Sequence, residues 1–260
     1  MNNHEIDYKI HGEEMQCVEI ELDPNESVIS EPGSFMMMTD GIQMETMFGD
    51  GNEKGLMGKL FSAGKRLLTG ENLFMTAFTN TSDRKRQVSF AAPYSGKIIA
   101  LDLSELGGKV ICQKDSFLCA AKGVSVGIEF QKKLGTGLFG GEGFIMQKLE
   151  GDGMTFVHSG GHVIEKELQP GEILKIDTGC IVAFTQNVQY DIQFVGGIKN
   201  TIFGGEGLFF AQLRGPGKVW IQTLPIARLA NRILQFGTAK KGEEGSVLGK
   251  LGNLLDGDGF

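Results

Sequence analysis

GTGLFG, from Gly135 to Gly140, has the Gly-x-Gly-x-x-Gly spacing that lets a strand turn tightly into a helix whose N-terminus receives a pyrophosphate. The chemistry would be dinucleotide binding, but GEG and an apolar strand pattern follow and no helix opens. KNTIFG, the matching stretch from Lys199, lacks two of those glycines. GKLFSAGKR, from Gly58, misses a phosphate loop as well, because Gly58 and Gly64 stand one residue too far apart and Arg66 replaces the Ser or Thr that would hold magnesium. His158 and His162 have the spacing that would present two imidazoles to zinc on one helix face. Ser159-Gly160-Gly161 between them breaks a helix and reads as a hairpin turn, so a solvent-facing pair is expected. Cys17, Cys112, Cys119 and Cys180 stand singly, without the spacing of a zinc knuckle or redox dithiol, and are expected as buried free thiols in a reducing cytoplasm. The chain has no Gly-x-Ser-x-Gly elbow, and its four histidines leave few bases for a triad. No cofactor and no catalytic residue are expected.

A different glycine-rich phrase does recur. FGGEGFIMQKLEGDG, from Phe139, returns from Phe203 as FGGEGLFFAQLRGPG. The same step along the chain lays VSVGIEF, from Val124, over VQYDIQF, from Val188, and both alternate apolar and polar residues as half-buried strands do. A longer step, from Ile42 to Val124, places IQMETMF over the first of these, with Ile42, Met44, Thr46 and Phe48 at the inward places. GSFMMMTDGIQ, DSFLCAAKGVS and GCIVAFTQNVQ align in turn, and LDPNE at Leu22 meets LQPGE at Leu168 when the two steps are taken together. TGENLFMTAF corresponds to the Gly-Glu phrase by a shorter step, from Glu71 to Glu142, so the first copy carries an insertion in FGDGNEKGLMGKLFSAGKRLL.

These spacings predict an all-β chain of three copies, at about 14–92, 93–159 and 160–224, packed as one pseudo-threefold domain over 1–236, because no single copy can bury its apolar face alone. Gly140, Gly141, Gly143, Gly204, Gly205, Gly207, Gly217 and Trp220 are then architectural. Glu71, Glu142 and Glu206 hold one place in the three copies. Three carboxylates on an axis would make a hard-cation site of oxygen ligands. Accepting backbone N–H groups within each tight turn is the alternative, and it suits the flanking glycines and Asn72 better.

Two basic amphipathic helices are expected near 57–68 and 225–236. The second presents Ile226, Leu229, Ile233 and Leu234 against Arg228, Arg232 and Gln235, with Pro225 at its start. Residues 237–260 are rich in glycine and hold few apolar groups, and read as a flexible tail that orders only against a partner, a second subunit or lipid. Net charge is −7, which disfavours a broad phosphate-binding surface, and nucleic acid is not an expected partner. MNNHEIDYKIHGEE lacks the apolar core of a signal peptide, and no apolar run has the length of a spanning helix, so a cytoplasmic, peripherally membrane-associated protein is expected.

FGGEGLFFAQLRGPGKVWIQTLP, EPGSFMMMTDGI and the tripled layout resemble the family of altered inheritance of mitochondria protein 24 and its bacterial relatives, over about residues 5–235. The resemblance implies a triplicated β-sandwich similar to the tryptophan RNA-binding attenuator protein and related to double-stranded β-helix folds. It brings no established reaction and no catalytic residues, and for the eukaryotic relative it implies a role in inner-membrane organisation. The expectation is a non-enzymatic binding or scaffold protein, with an unknown protein partner, self-association, or membrane contact through 57–68 or 225–260. The alternatives are a metal or small-ligand site, or an enzyme, on the pseudo-threefold axis. RNA binding rests on analogy of fold alone.

Overall fold

Alternating and β-branched segments bounded by Gly, Pro and Asn turns build an all-β chain. The computed structural model describes residues 5–48, 74–132, 144–194 and 209–234. Among them the strands run β1 (Asp7–His11), β2 (Cys17–Leu22), β3 (Ser27–Ser30), β4 (Phe35–Met38), β5 (Ile42–Phe48), β6 (Phe74–Asn80) and β7 (Arg86–Ala91). β8 (Gly96–Asp102), β9 (Lys109–Gln113), β10 (Phe117–Ala121), β11 (Ser125–Lys132), β12 (Phe144–Glu150) and β13 (Met154–Gly160) follow. The last are β14 (Val163–Leu168), β15 (Ile173–Asp177), β16 (Ile181–Thr185), β17 (Gln189–Phe194), β18 (Phe209–Arg214) and β19 (Gly217–Gln222). A helix, α1, covers 226–234.

Among the described residues these strands form four sheets, with the orders β1-β2-β7-β4, β5-β6-β3-β10-β13-β8, β11-β12-β9-β16-β19-β14 and β15-β18-β17. The group β5-β6-β3 has the same order as β11-β12-β9 and β17-β18-β15, and β2-β7-β4 the same as β8-β13-β10 and β14-β19-β16. Registers follow the sequence repeat. Val126 faces Leu149 and, one copy later, Tyr190 faces Leu213. Where the two kinds of group join, Cys119 faces Ser30 in one sheet and Ala183 faces Cys112 in the next.

Apolar residues fill the space between successive sheets. Val18, Ile20 and Phe90 of the first sheet meet Val28, Phe78 and Phe156 of the second. Ile29, Met75 and Ala77 share a second core with Val110, Val126 and Leu149. Phe144, Met146 and Phe184 share a third with Ile192, Ala211 and Leu213. Each large side chain among these contributes about 1.5–3 kcal/mol by leaving water, so these interfaces hold the sheets together.

The turns also repeat in detail. Asn25 and Gly171 both take positive φ, 69° and 81°. In LDPNE the Asp23 N–H donates to Glu26 Oε2 at 2.8 Å, and in LQPGE the Gln169 N–H donates to Glu172 Oε2 at 2.8 Å.

Ile42, Val124 and Val188 are buried as the alternation requires, but Met44 and Thr46 are exposed and not inward. β5 is the edge of the second sheet, and the first sheet lying over it stops at β4, so no described strand reaches out to cover Met44.

Candidate functional site

Polar residues close three strands of one kind. Glu31 follows β3, Gln113 ends β9 and Asp177 ends β15, at corresponding places of the similarly ordered strand groups β5-β6-β3, β11-β12-β9 and β17-β18-β15. The Glu31 carboxyl has an altered proton affinity. Gln147 Nε2 on β12 donates to its Oε1 at 2.7 Å, while burial pushes the carboxyl up to about 7 against the pull of that bond and of Lys114. Gln113 Oε1 instead receives a long bond, 3.5 Å, from Gln222 Nε2, which also donates to the Gly179 carbonyl at 2.8 Å. Asp177 Oδ1 accepts from the Gly179 N–H at 2.8 Å, and its Oδ2 lies 3.5 Å from Arg228 Nη2. A carboxyl that titrates near neutrality has the proton affinity of a general acid or base. Here its hydrogen-bonded partner is an amide, and the Ser30 and Ser34 hydroxyls donate to the Glu31 backbone carbonyl at 3.3 and 3.0 Å; the Cys112 thiol nearby is buried and its pKa is pushed far up by that burial, with Glu31's charge adding to the effect. No group of three or more His, Cys, Asp or Glu that could hold a metal occurs among the described residues.

The expected solvent-facing histidine pair is corrected. His162 is exposed, but His158 is buried. β13 runs on through Gly160, so the turn begins only at Gly161, with φ 68°, and strand alternation carries His158 inward. Its ring meets Tyr94 edge-on at 4.6 Å, and a Cβ at Gly96 would come within 2.7 Å of Nε2. Burial lowers its pKa to about 4 against the pull of the Tyr94 backbone, so the ring is neutral in the fold, and its Nδ1 has no hydrogen-bond partner among the described residues. The cysteines are free thiols: Cys112 and Cys119 are buried, Cys17 and Cys180 half-buried.

Gly217 and Trp220 lie in β19. Gly217 has φ 145°, and a side chain there would run into Thr185 Oγ1 and come within 2.7 Å of Val188 Cγ2. Trp220 enters the second core, and its Nε1 donates to Glu165 Oε2 at 3.0 Å. Glu71, Glu142, Glu206, Gly140, Gly141, Gly143, Gly204, Gly205 and Gly207 lie outside the described residues, as do the 57–68 helix and the 237–260 tail.

The described surface carries two groups of exposed apolar side chains. β4 carries four large apolar side chains in succession, Phe35 to Met38, all exposed, with Met36 at 53% and Met37 at 50%. α1 begins at Pro225, whose carbonyl accepts from the Arg228 and Leu229 N–H groups at 3.0 and 3.2 Å. Its first turn is seated, with Pro225 buried, Ile226 and Leu229 half-buried, and Arg228 held beside Asp177. The apolar stripe then leaves the body: Ile233 is 62% and Leu234 65% exposed. Contiguous exposed apolar groups of this kind mark contact sites. Sequence reasoning located α1 by its periodicity but missed Glu31 and the open face of β4. The polar residues recurring at 31, 113 and 177 were the available signal for the first.

Residues 8–224 match the model of a family described as Mitochondrial biogenesis AIM24. An uncharacterised protein of Streptococcus pyogenes serotype M6 is 32% identical over 222 residues, covering 84% of this chain and 86% of that protein. The crystal structure of a Streptococcus pyogenes protein superposes with a TM-score of 0.70 at 25% identity, covering 89% of this chain and 99% of the other.

Proposed function

The chain belongs to the mitochondrial biogenesis AIM24 family, and from that premise we propose that it acts as a binding or scaffold protein without a reaction of its own. The observation that carries this is the apolar stripe of α1, seated at Ile226 and Leu229 and open at Ile233 and Leu234. An apolar face left in water at the end of a half-buried stripe costs free energy that contact with another apolar surface recovers. Arg228 and Arg232 flank the stripe, which is the composition of a helix that lies on an anionic surface. The recurring strand orders and registers support reading residues 14–92, 93–159 and 160–224 as three units of one rigid platform from which α1 projects. Among the described residues no helix is long and apolar enough to cross a membrane, so attachment through α1 would be peripheral.

Co-sedimentation of the full chain with phosphatidylglycerol-containing vesicles tests the reading against neutral phosphatidylcholine vesicles. The full chain is expected to pellet with the anionic vesicles, and the Ile233→Glu/Leu234→Glu variant to stay in solution with an unchanged melting temperature. Equal pelleting of both proteins would remove α1 from the contact surface.

A further inference from the structure

The two outer sheets are unequal halves of the two inner ones. Each inner sheet joins a group ordered as β5-β6-β3 to a group ordered as β10-β13-β8, through the antiparallel pairs β3–β10 and β9–β16. Among the described residues the first sheet, β1-β2-β7-β4, has only the second kind of group and ends on β4. The fourth, β17-β18-β15, has only the first kind and ends on β15. β4 and β15 are therefore the counterparts of strands that are joined elsewhere in the chain, yet among the described strands β4 pairs with β7 alone and β15 with β18 alone.

Burial records the same difference. β10 and β16 are buried along their whole length, whereas every residue of β4 is exposed. β3 is wholly buried and β9 nearly so, whereas β15 is open at Ile173, 45% exposed. Met44 adds an independent sign. Its counterpart in the second copy, Val126, is 1% exposed because it shares a core with Ile29, Met75 and Ala77, which belong to the β5-β6-β3 group of the neighbouring sheet. No described group of that kind stands beside β4, and Met44 is 51% exposed.

We propose that β4 of one copy of this chain pairs antiparallel with β15 of a second copy, so that the chain assembles head to tail by repeating between molecules the joint it already makes twice within itself. This goes beyond the binding reading and does not depend on α1. The internal joints set the register. Cys119 faces Ser30 and Ala120 faces Ile29, while Ala183 faces Cys112 and Phe184 faces Ile111. In the repeat Met37 holds the place of Cys119 and Ala183, and Ile176 that of Ser30 and Cys112, so Met37 falls opposite Ile176 of the next copy and Met38 opposite its Lys175. Four consecutive uncharged apolar residues on an open strand edge form a template for such pairing, and β15 and β18 of the next copy would bring Lys175, Phe210 and Gln212 to the places over Met44 that Ile29, Met75 and Ala77 hold over Val126. The two faces differ, so the contact is heterologous and each copy offers one of each.

The test uses the full chain. Sedimentation velocity is expected to show species larger than one copy that grow with concentration, and Ile173→Lys, a change at an exposed position, is expected to weaken association about tenfold or more while leaving the melting temperature unchanged. Directly opposed residues in an antiparallel pair have Cα atoms about 4.5–5.5 Å apart, within disulfide range. Mild oxidation of mixed Met37→Cys and Ile176→Cys proteins is therefore expected to give a covalent dimer that neither variant nor the unmodified chain gives alone. A monomer at every concentration would overturn the proposal. So would a Met37→Cys/Ile176→Cys chain that closes its own disulfide at high dilution while the mixed single variants form none, because β15 would then lie on β4 of its own chain.

Discussion

Half-buried Glu31 and buried His158 are both shifted towards their uncharged forms, and they oppose each other in pH. The Glu31 carboxyl stands at about 7 in the fold against an ordinary value of 4.5. Between those values the unfolded chain releases the proton while the fold keeps it, so stability falls as pH rises through the window, by an amount on the order of 3 kcal/mol. Glu31→Gln keeps an acceptor for Gln147 and removes the titration; its melting temperature is expected to match the unmodified chain near pH 4.5 and to exceed it by several degrees above pH 7. An equal gap at both pH values would refute the assignment. His158 has the reverse sign: its pKa is lowered from 6.5 to about 4, so acidification through that window protonates the unfolded chain first and costs the fold stability. His158→Gln, which copies Gln222 at the corresponding place in the third copy, is expected to flatten the acid limb of a melting-temperature profile between pH 6.5 and 4. An unchanged limb would show that His158 is not its source. Neither group was legible in the sequence as a buried titrating one. His158 stood just before Ser159-Gly160-Gly161, which looked like a turn, but β13 runs two residues into it and is buried from Thr155 to Gly160. Glu31 sat in EPGS, which reads as an exposed turn, and Gln147, the partner that reaches it, is 116 residues away.

At the scale of elements, the end of β6 hangs on one side chain. Asn80 is fully buried; its Nδ2 donates to the Leu22 carbonyl at 2.9 Å and the Arg84 carbonyl at 2.7 Å. Its Oδ1 accepts from the Ser82 N–H at 3.0 Å and the Ser82 hydroxyl at 2.8 Å. One amide thereby fixes the β6–β7 turn and ties it to β2. Asn80→Ala would remove the donor to the buried Leu22 carbonyl and the acceptor that holds Ser82, and a loss of about 2–4 kcal/mol is expected in denaturant unfolding, against under about 0.5 kcal/mol for Asp83→Ala on the exposed tip. Comparable losses for the two would contradict this role. Strands such as β11 and β17 were legible because alternation survives wherever one face is buried: Val126 and Ile192 are inward as written. The turns were legible too, since LDPNE and LQPGE share a positive-φ residue and a Glu that accepts a backbone N–H. The exposure of Met44 was not, because a residue's covering depends on which strands stand across from it and periodicity speaks only of its own sheet.

For the whole molecule, the sequence repeat reaches beyond secondary structure to cross-strand register, and the register shows which described edges are left unjoined. Among the described residues the pattern of three cores between four sheets leaves half a sheet at either end. Amide hydrogen exchange of the full chain, followed by mass spectrometry at several protein concentrations, examines this most directly. β10 and β16, whose edges are joined within the chain, are expected to be protected at every concentration. The edge-facing amides of β4 and β15 are expected to exchange fast in dilute solution and to gain protection together as concentration rises. Protection of β4 and β15 that is independent of concentration, or fast exchange that persists in concentrated solution, would contradict the account.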